Sequence, residues 1–337
     1  MRRASSDRLS SISFIKTVLM ICVIMGHSVN FWNGNWFTIV SPIYDSKVLC
    51  FASEFLNSFH VTAFTLISGY LFYYLKIEQE RYPVYSSYLL NKTKRLIVPF
   101  YFVSVIWVIP IAVLFFHYSV KEVVLRYLLG ISPNQLWFLL MLFWVYVIVW
   151  PLASLLDRMP ILGAGIVGLL YVVGMLGSRF VQNYFYIWGG CEYVLFFWIG
   201  YIIRKYTDLF VKIKWYIWLG AYIVTFIVWT SLDVSVWRSL LEIVVHVIGA
   251  IASFESLGAL SRIIDWDKKW FGELSKRTMP MYLFHQQFVY FTIVLLNGKV
   301  HPIIHALINM FVASVGNYLI STVFMKWSVS RFLIGEK

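Results

Sequence analysis

Lys16 and His27 stand eleven positions apart in the apolar stretch ISFIKTVLMICVIMGHSVNFW. An ionisable side chain at the centre of a membrane costs about 3 kcal/mol or more, so two of them in one segment suggest use. At ~100° per residue, eleven residues bring a helix back to within ~20° of its starting face. The rise along the axis separates the two groups by ~16 Å. A cation near one bilayer surface and an imidazole deep toward the other, on one stripe, suit the two ends of a long substrate.

Composition fixes the kind of element that must hold such a pair. Hydrophobic residues make up 60% of the 337 and charged residues 13%, about half the charged share of soluble domains. Mean hydropathy is +0.75. No soluble fold hides that much apolar surface, so the chain reads as an all-α integral membrane protein. Ten segments approach the ~20 residues that a bilayer requires: about 12–33, 53–75, 96–117, 135–156, 161–178, 186–203, 215–232, 239–260, 278–296 and 303–325. The segment 161–178 is short enough to be tilted or partly re-entrant. Barrel strands would be half as long and strictly alternating, which these segments are not.

With the N-terminus inside, the inner segments carry 21 of the 28 Lys and Arg residues and the outer loops six, Lys16 being the remaining one. That asymmetry predicts both termini in the cytoplasm. It also accounts for the net charge of +12 through anionic lipid at the inner surface, with no nucleic-acid partner needed. Arg2, Arg3 and Arg8 precede a run that is too long, carries Lys16 and His27, and lacks a small-residue cleavage pattern, so it reads as a retained first helix rather than a signal peptide. Cys22, Cys50 and Cys191 are odd in number and lack metal-ligand spacing, which argues against a structural disulfide or a metal site. No repeat, low-complexity tract or long linker divides the chain, and residues 1–337 read as one transmembrane domain. The inner loop KIEQERYPVYSSYLLNKTKR offers Tyr82, Tyr85 and Tyr88 to the interface. The outer loop FHYSVKEVVLRYLLGISPNQ reads as a short amphipathic helix and a turn at Ser132-Pro133-Asn134. Nothing in the residues fixes an oligomeric state.

Lys16-x10-His27 resembles the (Arg/Lys)-x10-His signature of the membrane acyltransferase family three, bacterial O-acyltransferases of cell-surface polysaccharides. FTLISGYLF (Phe64 to Phe72) is similar to the Ser-Gly-Tyr/Phe-Leu motif near that family's second helix. KRLIVPF (Lys94 to Phe100) resembles its Arg-x3-Pro start of the third, and QLWFLLMLF (Gln135 to Phe143) its Leu-Trp-Phe-Leu start of the fourth. MYLFH, ending at His285, looks like its late Tyr-Leu-x-His. The motifs fall in the family's order, cover essentially the whole chain, and match its core of ten helices. Ser13 replaces the Asp that many members carry three residues before the basic residue. Met141, Leu142 and Phe143 fill the stretch where some branches carry a Glu. Both departures bring the chain closer to the branch acting on simple exopolysaccharides or capsules.

The resemblance implies a multi-pass protein of the bacterial plasma membrane that moves an acyl group, acetyl being the expected one, from cytoplasmic acyl-CoA to a hydroxyl of a cell-surface or exopolysaccharide sugar. The acceptor would be a glycan or lipid-linked glycan, and no metal is required. A neutral imidazole suits removal of the hydroxyl proton, which gives His27 the role of base; an acyl-imidazole intermediate is the alternative. Lys16, about a turn inside the cytoplasmic surface, is set to hold the phosphates of acyl-CoA as a point charge, with snorkelling into the headgroups as its structural alternative. Arg95 is a second phosphate partner, whereas Lys94 fits the positive-inside bias.

Depth counted at ~1.5 Å per residue puts His60, Glu192 and His246 each ~10 Å from the outer ends, near the level of His27. Glu54 and Glu242 lie closer to the outer surface, and Glu242 with His246 forms an i, i+4 pair. A polar layer facing an external acceptor is expected on helices one, two, six and eight. Glu255 and His285 form a second, inner group by the same count, positioned to line the path of the cofactor. Ser68 lacks a matched base and is expected to make a hydrogen bond, and Gly69 to permit a close approach or a helix break. His117, His301 and His305 fall near the outer interface. Two other classes compete: a polysaccharide-export component or proton-coupled transporter whose charges line a pathway, and a lipid-modifying acyltransferase type with a late catalytic His, for which only His285 qualifies.

Overall fold

The computed structural model of the protein describes residues 2–34, 36, 37, 39–264, 266 and 269–336. Ten helical spans occupy the ten expected segments. They are α1 (Arg2–Val29), α2 (Lys47–Glu78), α3 (Tyr85–Phe116), α4 (Trp137–Arg158), α5 (Pro160–Phe180), α6 (Ile187–Lys205), α7 (Trp215–Ser231), α8 (Val236–Leu260), α9 (Thr278–Leu296) and α10 (Pro302–Phe324). No strand occurs among the described residues. Among the described residues, eight spans are long and apolar enough to cross a membrane. The other two are α7, an apolar helix of 17 residues, and α9, whose hydropathy is diluted by His285, Gln286 and Gln287. Local signals set the shorter pieces too: Ser119 and Glu122 form a reciprocal capping box ahead of the helix Val120–Val123. The Ser119 N–H and hydroxyl hold the Glu122 carboxyl below the usual carboxylate range.

The segment 161–178, short enough to be tilted or partly re-entrant, is a continuous helix of 21 residues, α5. In α2 the interruption falls at Ser58 and Phe59, between Lys47–Asn57 and His60–Tyr73, and the helix runs unbroken through Gly69. Ser58 Oγ bonds the Phe55 carbonyl and lies 2.6 Å from Tyr222 Oη, so the break has its own polar partners. Two π-helical turns, Thr93–Ile97 and Ser104–Val108, interrupt α3. Pro99 and Pro110 stand two positions past the ends of these turns. Each proline lacks an N–H and crowds the carbonyl four residues back, and the extra residue of a wide turn relieves both problems.

The chain forms two compact units, Met1–Tyr70 with Gly200–Tyr318 and Leu71–Ile199 with Leu319–Lys337. In the first, α1 packs against the first part of α2, α8 and α9. The α1–α8 contact is antiparallel: Ser261 Oγ donates to Ser11 Oγ at 2.7 Å, and Gly258 lies over Ile15. Gly249 lets α8 close on Tyr222 of α7 and Phe59. Gly200 lies so near the Leu66 backbone that a Cβ there would fall inside the radius of the Leu66 carbonyl oxygen. In the second unit, Gly174 and Gly177 of α5 receive Trp188 and Glu192 of α6. Small residues at such spacing are the usual means by which membrane helices approach.

Candidate active site

His27 sits in the last full turn of α1 and His285 in the middle of α9. Nδ1 of His27 lies 2.6 Å from Nε2 of His285, with the ring planes 21° apart. His285 is fully buried, and its Nδ1 faces the carbonyls of Tyr282 at 2.9 Å and Met281 at 3.2 Å. Carbonyl oxygens only accept, so Nδ1 of His285 carries its hydrogen. In the neutral ring Nε2 then holds the lone pair. The proton in the short contact therefore belongs to His27 Nδ1, and the lone pair of His27 is left on Nε2. This is the tautomer a general base needs. As a residue His27 is half-buried.

Depth counting assigns His285 to a separate inner group, whereas the structure joins it to His27. The count assumes straight segments starting from common surfaces. In fact α1 ends at Val29 and the chain then folds back over its own end: Trp36 lies 5.3 Å from the His27 ring and 5.1 Å from Tyr290, and Phe37 lies 4.7 Å from Tyr290. Asn297 fixes this segment at both ends of its amide. Its Oδ1 accepts from the Ile43 N–H at 3.1 Å and its Nδ2 donates to the Ser41 carbonyl at 2.9 Å. Gln286 donates to the Tyr290 hydroxyl from the next position along α9.

A second set of polar contacts locks the backbone beside His27. Asn309 Nδ2 donates to the Ser28 carbonyl at 3.0 Å, and Asn309 Oδ1 accepts from Thr292 Oγ1 at 2.6 Å. His305 Nε2 donates to the Thr292 carbonyl at 3.2 Å. His305 is thus a buried structural residue rather than an interfacial one, while His117 and His301 are exposed. Past the helix end, Asn30 Oδ1 accepts from Ser53 Oγ and Asn57 Nδ2.

His60 packs on the opposite flank, its Cε1 against Gly26, and its Nδ1 donates to the Leu56 carbonyl at 2.6 Å. It lies within electrostatic range of His27, His285 and His246. The four imidazoles come from α1, α2, α8 and α9. Of the expected outer layer, His60, His246 and Glu242 belong to this unit, Glu242 being half-buried one turn before His246. Glu54 pairs with Arg238 at 3.6 Å. Glu192 belongs to the second unit, where it packs on Gly174, and Arg95 lies there too, exposed on the π-helical turn Thr93–Ile97.

Lys16 is half-buried on the same unbroken helix as His27, so the two share one face at a separation of ~16 Å. The register that joins Ser11 to Ser261 and Ile15 to Gly258 brings buried Glu255 level with Lys16 to within about one turn. Ser68 Oγ is occupied by the Phe64 carbonyl. Among the described residues no three His, Cys, Asp or Glu side chains converge as a metal site. Trp36, Tyr290, Gln286, Thr292 and Asn309 escaped the sequence reading. Only the spacing of His305, Asn309, Asn317 and Ser321 at multiples of four could have marked a buried polar stripe on α10.

The model of the acyltransferase-domain family matches residues 9–326. No curated protein and no solved structure matches the chain.

Proposed function

Because this chain belongs to the membrane acyltransferase 3 family, we propose that it transfers an acyl group, acetyl in the first instance, from cytoplasmic acyl-CoA to a hydroxyl of a cell-surface or exopolysaccharide sugar. The protein acts as a single catalytic domain in the bacterial plasma membrane with both termini inside, as the 21-to-6 basic asymmetry supports. The observation that carries the chemistry is the contact of His27 Nδ1 with His285 Nε2. It leaves His27 Nε2 as the basic nitrogen.

His27 Nε2 takes the proton of the acceptor hydroxyl while the hydroxyl oxygen attacks the thioester carbonyl. One C–O bond forms and the C–S bond breaks. The imidazolium returns the proton to the departing thiolate, so no net proton is gained or lost. During the cycle the His27 Nδ1–H remains bonded to His285, whose neutral ring supports the transient positive charge. Lys16 holds donor phosphate, and the ~16 Å between it and His27 suits an extended thioester arm. His60, His246 and Glu242 of the same unit are assigned to the acceptor, and His285 to orienting His27.

The test uses membranes containing the full chain, labelled acetyl-CoA and a glycan acceptor. His27→Gln should lower transfer by about 10²–10⁴-fold with the protein still inserted and folded. Transfer by His27→Gln within a few-fold of wild type would remove His27 as base. Movement of glycan across the membrane with no acyl transfer by the wild type would replace the enzyme by a carrier.

A further inference from the structure

In the second unit, Lys92 lies between two phenol faces, its Nζ 3.6 Å from the centre of the Tyr146 ring and 5.2 Å from that of Tyr88. The charged neighbour that acts on it is Arg95, a like charge one turn along the helix, and no carboxylate among the described residues pairs with it. Tyr88 is 1% exposed, and its hydroxyl has no hydrogen-bond partner among the described residues. The indole N–H of Trp150 is likewise buried and unpartnered. Lys76 lies over that indole, 4.1 Å from its centre, and donates to the Tyr82 carbonyl. Lys76 and Arg95 stand on π-helical turns, Tyr74–Glu78 and Thr93–Ile97, a distortion often found at binding sites.

Buried donors without acceptors and a half-buried cation without a counter-ion are each unfavourable. Contact with aromatic faces offsets only part of the charge. One ligand class has the chemistry to answer all of them: a phosphate ester, whose oxygens can accept from a phenol hydroxyl and an indole N–H and neutralise two ammonium groups. We infer that Lys92, Tyr88, Trp150 and Lys76 form a phosphate-binding site. The basic asymmetry assigns this stretch to the cytoplasmic side, where two sources of that chemistry exist, the nucleotide end of CoA and the headgroup of an anionic lipid. The first source rests on the acyltransferase reading; the site itself does not.

The full chain in detergent is dialysed against labelled adenosine 3′,5′-bisphosphate. In parallel, retention of phosphatidylglycerol through detergent exchange is measured by phosphorus content. Lys92→Gln should weaken binding at least about tenfold and Tyr88→Phe about threefold, while Lys92→Arg keeps most of it. Tyr88→Phe removes one oxygen from a buried ring and so remains informative if Lys92→Gln does not fold. Nucleotide binding that depends on both residues supports the CoA source. Lipid retention alone, with the same dependence, supports the site and overturns CoA as its ligand. Binding of neither ligand, or binding indifferent to both substitutions, overturns the proposal. His27→Gln protein should bind the bisphosphate like wild type. If His27→Gln instead keeps transfer activity, the acyltransfer mechanism falls while this site is judged on binding alone.

Discussion

His27 and His285, 258 residues apart in the chain, share one hydrogen between Nδ1 and Nε2 at 2.6 Å. The direction of that bond follows from the two carbonyls that occupy the other nitrogen of His285. His285 thus stands to His27 as the orienting residue stands to the histidine of a hydrolase triad, with a neutral acceptor in place of a carboxylate.

Replacing His285 should therefore act through the tautomer of His27. His285→Leu removes the acceptor and should lower kcat/KM by about 10²–10³-fold, whereas His285→Gln, whose amide oxygen can still accept, should retain activity within about tenfold. A pH–rate profile separates this from mere loss of packing. The acidic limb should move in His285→Leu and stay in place in His285→Gln. Equal loss in both variants with an unmoved profile would make His285 a packing residue.

Lys16 is assigned to donor phosphate rather than to the reacting carbonyl. Lys16→Met should raise KM for acyl-CoA by about tenfold or more with little change in kcat, and Lys16→Arg should restore most of the affinity. Initial-rate kinetics over a range of acyl-CoA check this. A fall confined to kcat would move Lys16 to the reacting centre.

Asn309 joins Thr292 of α9 to the backbone carbonyl of Ser28, the residue after His27. Asn309→Leu should leave the buried Ser28 carbonyl without its side-chain donor, at about 1–3 kcal/mol, while the Thr292 hydroxyl falls back on the Phe288 and Val289 carbonyls. The expected outcome is a lower thermal midpoint in detergent together with reduced activity. Asn309→Asp, which turns a buried carboxylate oxygen against the Ser28 carbonyl, should lower the midpoint at least as far.

Two glycines offer a contrast in packing. A Cβ at Gly200 would overlap the Leu66 carbonyl oxygen, which is rigid backbone, so Gly200→Ala should destabilise by about 1–3 kcal/mol or abolish insertion. At Gly26 a Cβ would meet His60 Cε1 at 3.5 Å and Asn57 Oδ1 at 3.6 Å, both ordinary contacts. Gly26→Ala should be tolerated, as seen by the yield of folded protein and its thermal midpoint.

Hydropathy was enough to find ten helices because each is mostly apolar, although α7 is short and α9 carries His285, Gln286 and Gln287; the span 278–296 coincides with α9 to the residue. The break at Ser58 and Phe59 left no Pro or Gly to mark it. Its polar partner is tertiary, the hydroxyl of Tyr222 meeting Ser58. The face shared by Lys16 and His27 was legible because α1 is unbroken between them. The partner of His27 was not legible, because residue counting measures distance along each helix and cannot see a loop folded back over a helix end. Tyr88 shows the same limit. It reads as an interfacial aromatic in sequence, yet it is buried between Tyr146 and Trp150.

Asn297, which grips Ser41 and Ile43, directly follows the helix that carries His285. One helix therefore carries the acceptor of the His27 N–H, the ring that meets Trp36 and, just past its end, the amide that holds Ser41 and Ile43, so a substitution that tilts α9 disturbs the aim of the imidazoles and the seat of that loop together.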